Sequence, residues 1–197
     1  MRVNEHPLAV TDRDLTVPLE HFDADDRVTR DDIVRRAFNG DEGRFGAFVD
    51  LLEEVTPAEA EVILRGSAVT GWRWTDGAPF DAEGPGTSDL DVTFVGGDLL
   101  KHWESFYIPG LHTVPLSDEH PDACPPFVPL RRQLSELARR PVNLQATTNL
   151  VQYARDVLFH QPYYRLISRR DEAAADRPAA DGEKAERADP DRDRPRP

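Results

Sequence analysis

Apolar residues recur at helical spacing twice in the first quarter of the chain. Ile33, Val34, Ala37 and Phe38 form one stripe behind Thr29, with Asp32 at the reciprocal capping position. Phe45, Phe48, Val49 and Leu52 fall at i, i+3, i+4 and i+7 after Asp41, which predicts a second helix broken near Thr56-Pro57. The period then changes. Glu61-Val62-Ile63-Leu64-Arg65 reads as a strand ending in Gly66, Asp89 to Val95 as a second strand stopped by Gly96-Gly97, and Val142 to Thr147 as a third begun by Pro141. Leu99, Leu100, Trp103 and Phe106 predict a helix after the second strand, and Leu130, Leu134 and Leu137 another. Thr148 is placed to cap a last helix with Leu150, Val151, Ala154, Val157 and Leu158 inward. Residues 72–87 read as a loop rich in Gly, Pro and Asp, and 109–129 as an irregular proline-rich stretch.

Strands separated by helices predict an α/β (α+β) fold, a small mixed sheet packed with helices, over residues 28–168. The flanks differ. Residues 1–27 are polar with short apolar pieces. Residues 169–197 are almost wholly Asp, Glu, Arg, Ala and Pro, a composition that predicts disorder because it has no large apolar side chain to bury.

Charge narrows the partners. The net charge of −13 falls almost entirely on residues 1–168, because the tail contributes only −1. Such a field repels phosphate backbones, so a small molecule or protein is favoured over nucleic acid. The pairs Arg131-Arg132 and Arg139-Arg140 read as solvated helix-surface charges. Residues 1–26 have no apolar signal core, and no run approaches the ~18 apolar residues of a membrane span. The single cysteine, Cys124, cannot form a disulfide within one chain; together these features predict a cytoplasmic protein.

The candidate chemistry lies on the second strand. Asp89 and Asp91 alternate with Leu90 and Val92, so both carboxylates project from one face while the apolar residues point to the core. Two like charges this close repel, and a hard divalent cation, usually magnesium, relieves the repulsion. Upstream, Gly66-Ser67-Ala68 follows a strand. Glycine permits close backbone approach to a phosphate, serine offers a hydroxyl and an N–H, and a helix starting there adds partial positive charge.

Leu64-Arg65-Gly66-Ser67 followed by Ser88-Asp89-Leu90-Asp91-Val92 resembles the DNA polymerase β-like nucleotidyltransferase superfamily. Gly71 also falls where many members carry a second glycine, and the resemblance spans roughly residues 62–95. It implies that Gly66, Ser67 and Ser88 bind nucleotide phosphates and that Asp89 and Asp91 hold one or two magnesium ions. The implied activity is transfer of a nucleoside monophosphate from a nucleoside triphosphate to a hydroxyl acceptor, with Asp89 and Asp91 as the catalytic pair.

Three departures stand out. The 21 residues between Ser67 and Asp89 exceed the spacer of many relatives, and the extra loop brings Trp72, Arg73, Trp74 and Phe80 as candidates to cover a base or an acceptor. Ala68, Val69 and Thr70 stand where relatives often carry arginine, leaving Arg65 or Arg73 as substitutes. On the third strand, Val142, Leu144 and Ala146 read as core. Asn143 and Gln145 therefore share the face where the family's third carboxylate belongs, and neither amide can act as a general base. Asp81 or Glu83 from the loop are replacements for that acid. Loss of the acid motivates a second reading, a nucleotide-binding or regulatory protein without turnover. A third reading is an interaction protein that recruits a partner through its tail.

His112, His120 and Cys124 match no zinc-module spacing, and Cys124 reads as a small inert residue. Tyr163-Tyr164 reads as packing at the domain edge, Trp103 as core, and His160 as a helix-end charge.

Overall fold

In the computed structural model, residues 28–156, 158 and 161–168 are described. The polar segment 1–27, the tail 169–197, Val157 and His160 lie outside them. The first two helices form as their caps dictate. In α1 (Arg30–Phe38) Thr29 and Asp32 complete a reciprocal capping box, and Asp41 caps α2 (Glu42–Glu53) by accepting from the Arg44 N–H. Ile33, Val34, Ala37, Phe38, Phe45, Phe48 and Leu52 are buried, and Phe38 meets both Phe45 and Phe48 edge-on.

The sheet is mixed, as expected, and has six strands in the order β3-β4-β5-β2-β1-β6. They are β1 (Glu61–Arg65), β2 (Leu90–Val95), β3 (Phe106–Ile108), β4 (His112–Thr113), β5 (Val142–Thr147) and β6 (Tyr164–Ile167). At its centre β2 runs antiparallel to β1 and parallel to β5. One face carries Val62, Leu64, Leu90, Val92, Phe94, Val142, Leu144 and Ala146 into the main core against α1, α2 and the helix Val128–Ala138 (α4). Each large side chain buried there contributes about 1.5–3 kcal/mol. The opposite face carries a smaller cluster in which Ile63 and Val95 meet Tyr153 and Leu158. Directly after β1 comes α3 (Ser67–Thr70), a single turn whose Ala68 and Val69 join the main core.

Several expectations are corrected. Leu99, Leu100 and Trp103 are buried, but Leu99 and Leu100 belong to a 3-10 turn, Gly97–His102, that Trp103 ends, and Phe106 opens β3 as an exposed edge-strand residue. The spacing from Leu99 to Phe106 imitates two helical turns, but the chain is already extended at Trp103. The stretch read as irregular contains β4, whose His112 pairs with Thr147. In α5 (Leu150–Asp156) the cap is Asn149, not Thr148: the Asn149 carboxamide oxygen accepts from the Gln152 N–H. The register shift leaves Val151 78% exposed and turns Tyr153 inward. Tyr163-Tyr164 leads into β6 on the other edge. Among the described residues, no helix is long and apolar enough to cross a membrane.

Candidate functional site

Strand pairing assembles the site. Asp91 lies opposite Arg65 of β1 and beside Asn143 of β5, and Thr93 lies beside Gln145. Asp89 immediately precedes β2. The Asn143 amide nitrogen donates to Asp89 Oδ2 at 2.5 Å and to Asp91 Oδ1 at 3.1 Å, so one side chain ties the carboxylates together. Burial raises the pKa of Asp89, and the adjacent Asp91 charge raises it further, against the Asn143 hydrogen bond.

Gly66 ends β1 with φ 75°, and the turn of α3 starts at Ser67. A side chain at this position would place its Cβ 2.8 Å from Asp91 Oδ2. Glycine is therefore required twice, by the left-handed backbone and by the closeness of the carboxylate. The turn is fixed from outside: Arg36 of α1 donates to the carbonyls of Ala68 and Val69 at 2.7 and 2.6 Å. Gly71 closes the turn in the left-handed conformation.

Ser67, Ser88, Asp89 and Asn143 line one cleft of about 460 Å³. Asp91 is outside that lining, its Oδ2 3.6 Å from Arg65 Nη1. Arg73 and Glu83 pair on one wall, and Ser117, Asp118 and Glu119 form part of another. The expected juxtaposition of Gly66-Ser67 with the Asp pair is present. The wall at 115–119 had no sequence signal, because it reaches the site only through the bridge between Leu116 and Leu144.

Behind the pair is a polar network that the sequence reading missed. With the Gln145 amide oxygen oriented to Arg65, it accepts from Arg65 Nε at 2.6 Å and Nη2 at 2.8 Å. The hydroxyls of Thr93 and Tyr153 lie 2.8 and 3.0 Å from the same oxygen. Desolvation opposes the charge on Arg65, but Asp91, Tyr153 and Asp89 outweigh it and hold the guanidinium protonated. Arg65 thus sits against Asp91, and its charge also acts on Asp89, where burial and the Asp91 charge outweigh it.

Asp81 is not available as a third acid. Its carboxylate accepts from Arg140 at 2.9 and 3.2 Å and from the N–H groups of Gly86 and Ser88. Although desolvation pushes the other way, these donors lower its pKa. Asp81 and Arg140 thereby fold the loop onto the start of β5. Phe80 lies under the Arg140 guanidinium at 4.6 Å, so it is a loop anchor and does not cover the cleft. Trp72 and Trp74 stack on each other and remain exposed. The basic pairs are not simply solvated either. Arg140 is 5% exposed, and Arg131 donates to the Val142 carbonyl and to Asp118. Cys124 is fully buried, and burial pushes its thiol up to about 12, which suits an inert residue.

Comparison of the chain with protein-family models, with curated proteins and with solved structures gave no match.

The donor set suits a hard cation that completes its shell elsewhere. Among the described residues, no three His, Cys, Asp or Glu side chains are grouped to hold a metal by themselves. Magnesium commonly takes one or two carboxylates and fills its octahedron with water and substrate phosphates. Asp89 and Asp91 offer such a pair, and the repulsion that raises the Asp89 pKa is what a cation would relieve.

Proposed function

We propose that this protein is a magnesium-dependent nucleotidyltransferase. Its substrates would be a nucleoside triphosphate and a hydroxyl-bearing acceptor. The observation that carries the reading is the convergence of Gly66-Ser67 and the Asp89–Asp91 pair, with Asp91 Oδ2 only 2.8 Å from the site of a Cβ at Gly66. In this reading Ser67 and Ser88, both in the cleft with Asp89, bind the phosphates. Asp89 and Asp91 hold magnesium, which supplies neutralisation of the phosphate charge. The acceptor oxygen bonds to the α-phosphorus, the bond from that phosphorus to the bridging oxygen breaks, pyrophosphate leaves and the hydroxyl proton passes to water in the cleft. Arg65 pairs with Asp91, and Asn143 holds the two carboxylates in register.

A second reading, nucleotide binding without turnover, is favoured by one observation. Asn143 occupies the position beside both aspartates where an acid would activate the acceptor, and its amide is already committed to them. Incubation with each labelled nucleoside triphosphate, magnesium and cell extract separates the two. A labelled adduct with pyrophosphate release supports transfer. Magnesium-dependent binding without adduct supports the second reading, and failure to bind any nucleotide excludes both.

A further inference from the structure

A second cavity, about 550 Å³, adjoins the cleft, and Asp118 and Pro141 line both. Its volume is within the range of small-molecule sites. Its walls are α4 and the segment that carries Leu116 and Pro121. Leu116 and Val128 make part of the lining apolar, while Arg131, Arg132 and Arg140 bring three guanidinium groups against Asp118 and Glu136. Asp118 pairs with Arg131 and Asp81 with Arg140, which leaves Arg132 as the lining cation without an ion pair among the described residues.

The arginines are not equivalent. Arg131 is tethered by the Val142 carbonyl and Asp118. Arg140 is 5% exposed, with two nitrogens spent on Asp81 and its buried Nε–H without a hydrogen-bond partner. Arg132 is exposed and has no hydrogen-bond or ion-pair partner among the described residues. An unpaired guanidinium beside an unsatisfied buried donor is a site for an anion, because guanidinium binds carboxylate and phosphate through paired charge-assisted hydrogen bonds.

We propose that this cavity is a ligand site for a small organic anion, a molecule with an apolar body and one phosphate or carboxylate group, and that this anion is the acceptor. Arg132 grips the anionic group, and Leu116 and Val128 take the apolar body. The shared wall at Asp118 and Pro141 lets a bound molecule extend its hydroxyl toward Asp89. The acceptor role rests on the transferase reading; the anion site does not.

The test titrates phenyl phosphate and benzoate, with benzyl alcohol as neutral control, into the isotopically labelled full chain and follows amide and arginine N–H resonances. Saturable shifts at Leu116, Val128 and Arg132 are expected for at least one anion, and the responding arm identifies phosphate or carboxylate. Arg132→Ala removes an exposed side chain and should weaken binding about tenfold, the loss of one charge-assisted contact. Ser135→Phe, on the α4 wall, should fill the cavity and abolish binding. No saturable shift with either anion, equal binding of benzyl alcohol, or unchanged affinity in Arg132→Ala overturns the site. Repeating the titration with magnesium and a non-hydrolysable nucleoside triphosphate analogue tests the role. Simultaneous binding supports an acceptor, and mutual displacement overturns that role by making the cavity part of the nucleotide site. If the analogue does not bind while the anion does, the transferase reading fails and the anion site stands.

Discussion

Asp89 holds a charge that its surroundings disfavour. Burial and Asp91 raise its pKa, so the folded state binds a proton more readily than the unfolded chain. At neutral pH the ionised group therefore costs stability, and the cost disappears as pH falls through the raised value. Asp89→Asn is expected to leave the metal-free protein as stable or slightly more stable in thermal unfolding. The same change should weaken nucleotide binding measured with magnesium, and lower turnover by about 100-fold or more if the protein is a transferase. Identical affinities for wild type and variant, with and without magnesium, would remove Asp89 from the site. Asp81 is the opposite case. Its pKa is lowered although burial opposes this, because Arg140 and two backbone N–H groups favour the carboxylate. Asp81→Ala leaves the Arg140 charge buried without its partner, and about 3–5 kcal/mol of stability should be lost in denaturant unfolding. A loss below ~1 kcal/mol would show that the ion pair does not anchor the loop.

At the scale of elements, the junction of β1 and α3 is the sensitive point. Gly66→Ala faces both a φ of 75° and a Cβ 2.8 Å from Asp91. A loss of about 1–3 kcal/mol is expected from the backbone conformation alone, read as a lower unfolding midpoint. Nucleotide affinity should fall as well, because Asp91 must move. Gly71→Ala serves as the control: it shares the positive φ, but its Cβ would meet only the Arg36 side chain at 3.4 Å. It should therefore lose stability without the same loss of affinity. Equal effects of the two on affinity would mean that the closeness of Gly66 to Asp91 has no functional weight.

For the whole molecule, acid stability integrates the buried groups. His112 is 2% exposed on β4, and burial, with the Arg65 charge adding to it, lowers its pKa to about 4. The folded state keeps it neutral while the unfolded chain protonates it near pH 6.5. Its contribution is full above that value and is lost as pH falls from about 6.5 to about 4, by about 3 kcal/mol. The contribution of Asp81 is lost at lower pH still, as pH falls below the unfolded carboxylate value through its lowered pKa. Unfolding measured from pH 7 to 3 should therefore steepen in two stages, and His112→Phe should flatten the first. An unchanged profile in that variant would mean that the imidazole is not the group that titrates.

Helices α1, α2 and α4 and the three central strands were legible because their signals are local. Capping side chains, helical stripes and alternation at β2 and β5 depend on neighbours within a few residues. Alternation likewise placed Asp89 and Asp91 together and set Asn143 and Gln145 on one face of β5. Tertiary structure decided the rest. The edge strands β3 and β6 and the two-residue β4 are short, and pairing with other strands rather than any periodicity defines them. The parallel register of β2 with β5 brought Asn143 beside the aspartates, and together with the β1–β2 register it set Gln145 against Arg65. The pairing of Asp81 with Arg140, 59 residues apart, turned an apparent catalytic substitute and a seemingly solvated arginine into a buried anchor. Local sequence specifies which face a side chain occupies, whereas the charge it meets there is supplied by chain brought near by folding.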